Sequence, residues 1–148
     1  MKSVVYLQFK GQAAEALSFY KDALKASNFR ILKFGDFNSN ENVNLSETEK
    51  DMVMESYIEF SGNILMISDV PNFMQPVVGD VCVGSNVLIS IIGATDEENK
   101  EYFKNLAQGG RVIMPISKTP WSSSFGMLVD RFGVMWKFNT DADKFVNM

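Results

Sequence analysis

The sequence contains no histidine, and this absence excludes much familiar catalytic chemistry. Without an imidazole, the chain cannot build a Ser-His-Asp or Cys-His nucleophilic site from its own residues. Zinc and iron sites that use histidine ligands are excluded for the same reason. A magnesium or manganese site made only of carboxylates stays open.

Three further shortages narrow the class of protein. Cys82 is the only cysteine, so no internal disulfide is possible and a reducing cytoplasm fits. The 14 basic and 18 acidic side chains give a net charge of −4 with no basic run, which argues against a nucleic-acid partner. No apolar stretch approaches the ~20 residues of a membrane helix, and the start MKSVVYLQF is typical of a strand rather than a signal peptide. We therefore predict a cytoplasmic protein with no nucleic-acid or membrane partner.

The sequence does contain a repeat. Residues 4–69 and 86–139 each indicate a strand, a helix and then three strands. The first copy runs VVYLQF, AAEALSFYKDALKA, FRILKFGDF, MVMESYIEF and NILMISD; the second runs NVLISIIG, EENKEYFKNLAQ, RVIMPIS, SFGMLVD and VMWKFN. A βαβββ unit cannot bury both faces of its sheet alone, so two units should pair around a shared space.

This repeat predicts the fold and the domain organisation. The fold class is α+β, with two βαβββ modules whose cupped mixed sheets surround a central cavity. Residues 1–148 are expected to form a single domain of two repeats, about 1–69 and 86–140, joined by a linker over 70–85. Exposed edge strands favour pairing between copies, so we predict a homodimer.

Local signals place the helices and turns. The first helix is predicted over about 12–26, and the second over about 96–108, between a capping box at Thr95 and Glu98 and a stop at Gly109. Their buried faces should carry Ala13, Leu17, Tyr20 and Leu24 in the first helix, and Tyr102, Phe103 and Leu106 in the second. Ser61-Gly62-Asn63 predicts a hairpin turn, and the polar run 38–50 predicts a mobile loop.

Three segments together resemble a known family. They are YLQFKGQAAEALSFYKDAL, GNILMISD and the ending MPISKTPWSSSFGMLVDRFGVMWKFN. These are similar to the PhnB-like branch of the vicinal oxygen chelate superfamily, which includes glyoxalase I, extradiol dioxygenases, fosfomycin-resistance enzymes and bleomycin-resistance proteins. The resemblance covers nearly the whole chain, and it implies paired βαβββ modules around a cupped cavity.

The same resemblance bears on metal binding. Metal-using members place His, Gln or Glu on the first strand of each module and on the last strand. The matching positions here fall on Val5 or Tyr6, near Leu88, and on Lys137, and PhnB-like relatives often carry His where this chain has Glu55. Because a cation at a ligand position repels a divalent ion, the resemblance implies no metal and no cofactor here.

Members of the branch are sometimes described as demethylubiquinone methyltransferases. Binding of a nucleoside methyl donor would require a glycine-rich loop after a strand, with an acidic residue at the end of the next strand. The sequence has no such pattern, so it gives methyl transfer no support.

Alternation along the strands indicates candidate site residues. We predict ligand-binding roles for Tyr6, Gln8, Glu55, Tyr57, Ser90, Trp121, Phe125, Met127 and Lys137. Glu55 is also the one candidate catalytic residue, because a carboxylate in a cavity could act as a base. The alternative for Glu55, Tyr57 and Glu59 is a half-exposed strand with its polar residues in water.

The other candidates also have alternative interpretations. Lys137 could bind an anionic ligand or pair with Glu55, or lie on the solvent side of an edge strand. Trp121, Phe125 and Met127 suit a flat or apolar ligand, or they fill the core or a dimer interface. Ser90 matches the position of the first-strand polar residues, although a lone serine in a strand is usually structural.

Two classes of function follow, with a third that needs no ligand. The first is a metal-free binding protein that holds a small amphipathic molecule, as the bleomycin-resistance relatives do. The second is an enzyme of the lyase, isomerase or dioxygenase-like kind. The third is a scaffold whose cavity is filled by its own side chains.

Overall fold

The computed structural model describes residues 1–37 and 44–148, which form two compact units, Met1–Cys82 and Val83–Met148. The strands are β1 (Val5–Phe9), β2 (Asn28–Lys33), β3 (Val53–Phe60), β4 (Asn63–Asp69), β5 (Ile89–Ile92), β6 (Arg111–Thr119), β7 (Ser122–Val129) and β8 (Met135–Asn139). The α-helices are α1 (Ala13–Ala23), α2 (Glu47–Asp51), α3 (Gln75–Val78), α4 (Asp96–Leu106) and α5 (Ala142–Val146). Short 3-10 helices cover Phe34–Asp36 and Asn72–Met74.

Both units contain a four-stranded mixed sheet with the same connectivity. The strand orders are β1-β4-β3-β2 and β5-β8-β7-β6. In each sheet the first strand runs parallel to the last strand of its module, and the other pairs are antiparallel. The predicted α+β fold of two βαβββ modules is confirmed. The central cavity and the homodimer stay predictions.

In the first unit, α1 packs on one side of the sheet. Its buried residues are Ala13, Ala16, Leu17, Tyr20 and Ala23, and it contacts β3 and β4. The buried sheet residues Ile58, Leu65 and Ile67 alternate with less buried neighbours, as a half-covered sheet requires. The predicted apolar face is confirmed, and Leu24, which follows the helix, is also buried.

The start of α1 is capped from a distant strand. Gln12 at its N-cap offers no side-chain hydrogen bond. The buried carboxylate of Asp69, at the end of β4, instead accepts from the backbone N–H groups of Gly11 at 2.7 Å and Ala13 at 3.0 Å. Its second oxygen accepts from the N–H of Val53 at 3.0 Å, so one side chain joins β4, the start of α1 and the start of β3.

The start of α4 is capped locally. Thr95 Oγ1 accepts from the N–H of Glu98 at 3.2 Å, and the Glu98 carboxylate accepts from the N–H of Thr95 at 2.8 Å. The predicted capping box is therefore confirmed. On the buried side of α4 the prediction holds for Phe103 and Leu106, whereas Tyr102 is only half-buried.

Asn99 is the buried residue of α4 that the apolar pattern missed. Its Nδ2 donates to Ser124 Oγ at 3.2 Å and to Thr140 Oγ1 at 2.8 Å. These bonds satisfy the amide nitrogen of a polar side chain that hydrophobic periodicity would assign to the surface, whereas its buried Oδ1 has no hydrogen-bond partner among the described residues. They also tie α4 to β7 and to the residue that follows β8.

An aromatic cluster forms the core of the second unit. Phe103 on α4 meets Phe138 on β8 edge to face, with ring centroids 5.5 Å apart. A Cβ at Gly126 would lie 3.0 Å from the Phe103 ring, so the glycine makes room for this packing. Trp136 is fully buried, and its Nε1 donates to Asp130 Oδ2 at 2.9 Å.

The hairpin turns β3–β4 and β7–β8 have clear physical causes. Phe60 pairs with Asn63 across Ser61 and Gly62, whose φ angles of 46° and 77° are the left-handed values of a tight two-residue hairpin. Between β7 and β8, the Asp130 carboxylate accepts from the N–H groups of Phe132 at 2.8 Å and Val134 at 3.1 Å. Asp69 and Asp130 thus both accept hydrogen bonds from backbone N–H groups that hold neighbouring elements in place.

Two local expectations were wrong. Residues 47–51 of the polar run form α2, because Ser46 and Glu49 build a capping box; residues 38–43 lie outside the described residues. Strict alternation along β3 would put Val53 on the same side as Glu55, but Val53 is fully buried. A bulge between β2 and β3 inserts Met54 and breaks the alternation there.

Among the described residues, no helix is both long and apolar enough to cross a membrane.

Candidate functional site

The side of the first sheet opposite α1 carries polar groups among apolar ones. We call this side face A; its members alternate with the residues buried under α1. Strand register sets Tyr6 beside Met66, Met66 beside Tyr57, and Tyr57 beside Arg30. Adjacent positions on the same side hold Gln8 next to Ser68, and Glu55 next to Leu32. The predicted residues Tyr6, Gln8, Glu55 and Tyr57 thus share face A.

A short hydrogen bond joins two of these predicted residues. The Tyr6 hydroxyl donates to Glu55 Oε1 at 2.6 Å, between the edge strand β1 and β3. Burial of the phenol, followed by the hydrogen bond to Glu55, raises the pKa of Tyr6 to about 12, and a hydrogen bond with Ser68 opposes the rise. Tyr6 is 41% exposed, so the pair is accessible while its proton stays on the phenol at neutral pH.

The Tyr6 phenol should therefore ionise about two pH units above the ordinary tyrosine value of 10.0. Since folding favours the protonated form, its contribution to stability is complete below pH ~10 and is lost as the pH rises towards ~12. An ultraviolet phenolate titration of the protein, minus that of Tyr6→Phe, isolates this group. Glu55→Gln should move its midpoint down, but not fully, because burial is the larger cause. A difference trace with its midpoint at or below 10 would contradict the assignment.

The remaining members of face A are less constrained. Gln8 is exposed, and Tyr57 is half-buried with its hydroxyl 3.4 Å from the Asn28 Nδ2 that donates to it. Glu59 is half-buried two positions further along β3. These groups can orient a polar ligand, but the structure shows no hydrogen bond that fixes Gln8.

The side of the second sheet opposite α4 is the equivalent surface, face B. Trp136 and Phe138 point towards the core, so Lys137 between them points the other way. Register sets Ser90 beside Lys137, Lys137 beside Met127, and Met127 beside Met114. The predicted residues Ser90, Met127 and Lys137 therefore form one row across the sheet.

Two predicted aromatic residues meet next to this row. Trp121, in the turn between β6 and β7, contacts Phe125 edge to face with ring centroids 5.5 Å apart. Trp121 is 58% exposed, whereas Phe125 is buried, although it lies on the face B side of β7. Trp121 is thus available to a ligand, and Phe125 positions it.

The donors on these faces do not fit a divalent metal. Glu55 and Glu59 stand four residues apart on one strand, roughly 13 Å, which is too far to chelate one ion. Lys137 brings a positive charge to face B. Within the described residues, no three His, Cys, Asp or Glu side chains gather as a metal site.

Sequence reasoning missed two members of these faces. Ser68 acts on the Tyr6 phenol, and Met114 extends the Lys137 row. Only the parallel β1–β4 register and the irregular β6–β7 register reveal them. Neither register is encoded in local alternation.

Comparison with known proteins places the chain among relatives of the same size. The family model described as 3-demethylubiquinone-9 3-methyltransferase matches residues 1–139. Protein PA1353 from Pseudomonas aeruginosa is 33% identical, with a TM-score of 0.77 over 95% of this chain and 97% of that one. The PhnB protein from Bacillus cereus is 25% identical, with a TM-score of 0.68 over 95% and 99%. A glyoxalase-related enzyme from Fulvimarina pelagi, 16% identical, shares the fold with a TM-score of 0.58 over 96% and 90%.

Proposed function

We propose a binding function on the premise that this chain belongs to the PhnB-like family, whose model is described as 3-demethylubiquinone-9 3-methyltransferase. The proposed function is to bind a small amphipathic molecule without a metal ion. The chain shares its fold with a glyoxalase-related enzyme, which agrees with the resemblance to the vicinal oxygen chelate superfamily. The observation that carries the proposal is the composition of faces A and B. Each combines half-buried polar groups with adaptable apolar side chains, and the resemblance matches Tyr6 and Lys137 to strand positions that hold ligands in metal-using members.

On each face, polar groups would orient a ligand bound there. On face A, Tyr6 and Glu55 present a protonated phenol beside a carboxylate, and the exposed amide of Gln8 lies on the same side. On face B, Lys137 supplies an ammonium group. A few such groups on a mostly apolar wall are typical of small-molecule sites.

Apolar groups on the same faces would supply most of the contact area. Met66 and Met127 are half-buried, Met114 is exposed, and Trp121 offers a large aromatic surface. Unbranched thioether side chains adapt to ligands of different shape. This combination supports an amphipathic ligand rather than a purely polar one.

Methyl transfer, which the family description names, would require a site for a methyl donor. The β1–α1 connection, Lys10-Gly11-Gln12, and the β5–α4 connection, Gly93-Ala94-Thr95, contain one glycine each. Neither resembles the glycine-rich loop that binds a nucleoside cofactor. The carboxylate of Asp69, which closes β4, is occupied by three backbone N–H groups.

A thermal-shift screen of small amphipathic compounds tests the proposal. A compound at a hundred times its Kd stabilises a protein by about 2.7 kcal/mol, which raises the Tm by roughly 5–10 °C for a chain of this size. We expect the same rise after treatment with a chelator and after addition of Mn, Fe, Ni or Zn. A rise that requires a metal, or stoichiometric metal found by elemental analysis, would overturn the metal-free proposal.

A second candidate, a metal-free proton-transfer enzyme, is favoured by the Tyr6–Glu55 pair. A pKa of about 12 keeps the Tyr6 phenol protonated at neutral pH, so it can donate a hydrogen bond to a substrate oxygen, and the Glu55 carboxylate within hydrogen-bond distance of it is the candidate base. The same screen separates the two candidates if each hit is followed for turnover. Turnover of a compound, with a bell-shaped pH–rate profile that disappears in Glu55→Gln, would show that the protein is a proton-transfer enzyme. Binding without turnover would support the first candidate, a binding protein.

A further inference from the structure

We infer that face B binds the anionic end of an aromatic amphipathic ligand through Lys137. The inference rests on the proposed function and adds the chemical class of the ligand. It depends on three observations: the charge of the second sheet, the environment of Lys137, and the apolar surface beside it.

The charges of the two sheets differ in kind. The four strands of the second sheet contain three cations, Arg111, Lys118 and Lys137, and no aspartate or glutamate. The strands of the first sheet contain Glu55, Glu59 and Asp69 alongside Arg30 and Lys33. A cationic sheet in a chain whose net charge is −4 is a local feature that overall composition conceals. The positive charge of this sheet would attract an anionic ligand.

Of the three cations, Lys137 is the one whose surroundings suit binding of an anion. It is half-buried, and it lies between Ser90 and Met127 in the row across face B. Lys100 and Lys144 of the same unit are paired with Asp96 and Asp141, whereas no ion pair between Lys137 and an acid of its unit is seen among the described residues. A partly desolvated ammonium gains more from an anionic partner than a fully exposed one does.

The surroundings of Lys137 favour an aromatic ligand. Met127 is its direct neighbour, and Met114 follows in the same row. Trp121 is exposed and held edge to face against Phe125, which lies two residues from Met127 on the same side of β7. Thioether and indole surfaces contact flat rings favourably. An aryl sulfonate, carboxylate or phosphonate would match both the cation and this surface.

Two fluorescent probes that differ only in charge test the inference. One is 1-anilinonaphthalene-8-sulfonate, and the other is 1-anilinonaphthalene, which lacks the sulfonate. We expect the protein to bind the sulfonate about tenfold more tightly, and Lys137→Met to remove that difference while leaving the affinity for the uncharged probe unchanged. Methionine keeps most of the lysine stem, so the apolar wall is preserved. Lys137→Arg should retain the preference, and added salt should weaken binding of the sulfonate alone.

A matched control and the contrary outcomes make the test decisive. Lys118→Met removes an exposed cation from the edge strand β6 and should change neither affinity. Equal binding of both probes, or equal loss of both in Lys137→Met, overturns the anion site but leaves the proposed function standing. If neither probe nor any screened compound binds, both proposals fail. Lys137→Gln gives a second neutral variant if Lys137→Met does not fold.

Discussion

Replacing Asp69 with alanine should lower the free energy of unfolding by roughly 3–5 kcal/mol. The substitution removes the acceptor of three backbone N–H groups, those of Gly11, Ala13 and Val53. Two of these bonds are buried, and water cannot replace the carboxylate there without opening the structure. Domains of this size have about 5–15 kcal/mol of stability in total, so this loss is a large share.

Urea unfolding measures this loss. With an m-value of about 2 kcal/mol per molar urea, the midpoint should fall by roughly 2 M. Asp69→Asn should be intermediate, because the amide keeps one acceptor oxygen but places a donor opposite the N–H of Val53. Asp51→Ala is the matched control. Its carboxylate is 83% exposed and, among the described residues, forms an ion pair with Lys33 at 3.4 Å, so the substitution should change stability by less than about 0.5 kcal/mol. Similar losses at both positions would refute the capping role of Asp69.

Replacing Trp136 with alanine should cost about 3–5 kcal/mol, for a different reason. The side chain is fully buried in the second unit, and its removal leaves a cavity among Leu128, Phe138 and their neighbours. The indole N–H that reaches Asp130 is lost as well, so the carboxylate that organises the β7–β8 turn loses one donor.

The other tryptophan provides the comparison for this prediction. Trp121→Ala removes a side chain that is 58% exposed and should cost less than about 1 kcal/mol. Tryptophan fluorescence offers an independent check. Trp121→Phe leaves Trp136 as the only indole, and its emission should be that of a buried ring until unfolding. An emission maximum typical of water in the folded state would show that Trp136 is not in the core.

The fold was predictable where information is local. Alternation and periodicity located both copies of the repeat, Thr95 and Glu98 marked the start of α4, and Ser61-Gly62 marked a hairpin. Each of these features depends on residues within a few positions of each other. The polar run was mistaken for a loop over 47–51 because low hydrophobicity outweighed the Ser46–Glu49 cap, which is the same motif that was recognised at α4.

The candidate site was predictable only in part. Alternation along the strands selected Tyr6, Gln8, Glu55 and Lys137 as candidates, but it left open whether Glu55 and Lys137 face a ligand or solvent. Alternation along a strand predicts the side on which a residue lies, but not which residues on neighbouring strands contact each other. The 2.6 Å bond from Tyr6 to Glu55 depends on the order β1-β4-β3, which brings together residues 49 positions apart. Whether these residues bind a ligand stays a prediction for experiment.

The two helix caps have a consequence for how the halves fold. Thr95 and Glu98 can stabilise the first turn of α4 as soon as that short segment is made, so this helix is able to nucleate early. The cap of α1 lies more than 50 residues away, so α1 must wait for β4 to close a long loop. The helix cap is therefore a long-range contact in the first module and a local contact in the second, although both helices occupy the same position in the fold. The first copy should acquire its helix later and more cooperatively than the second.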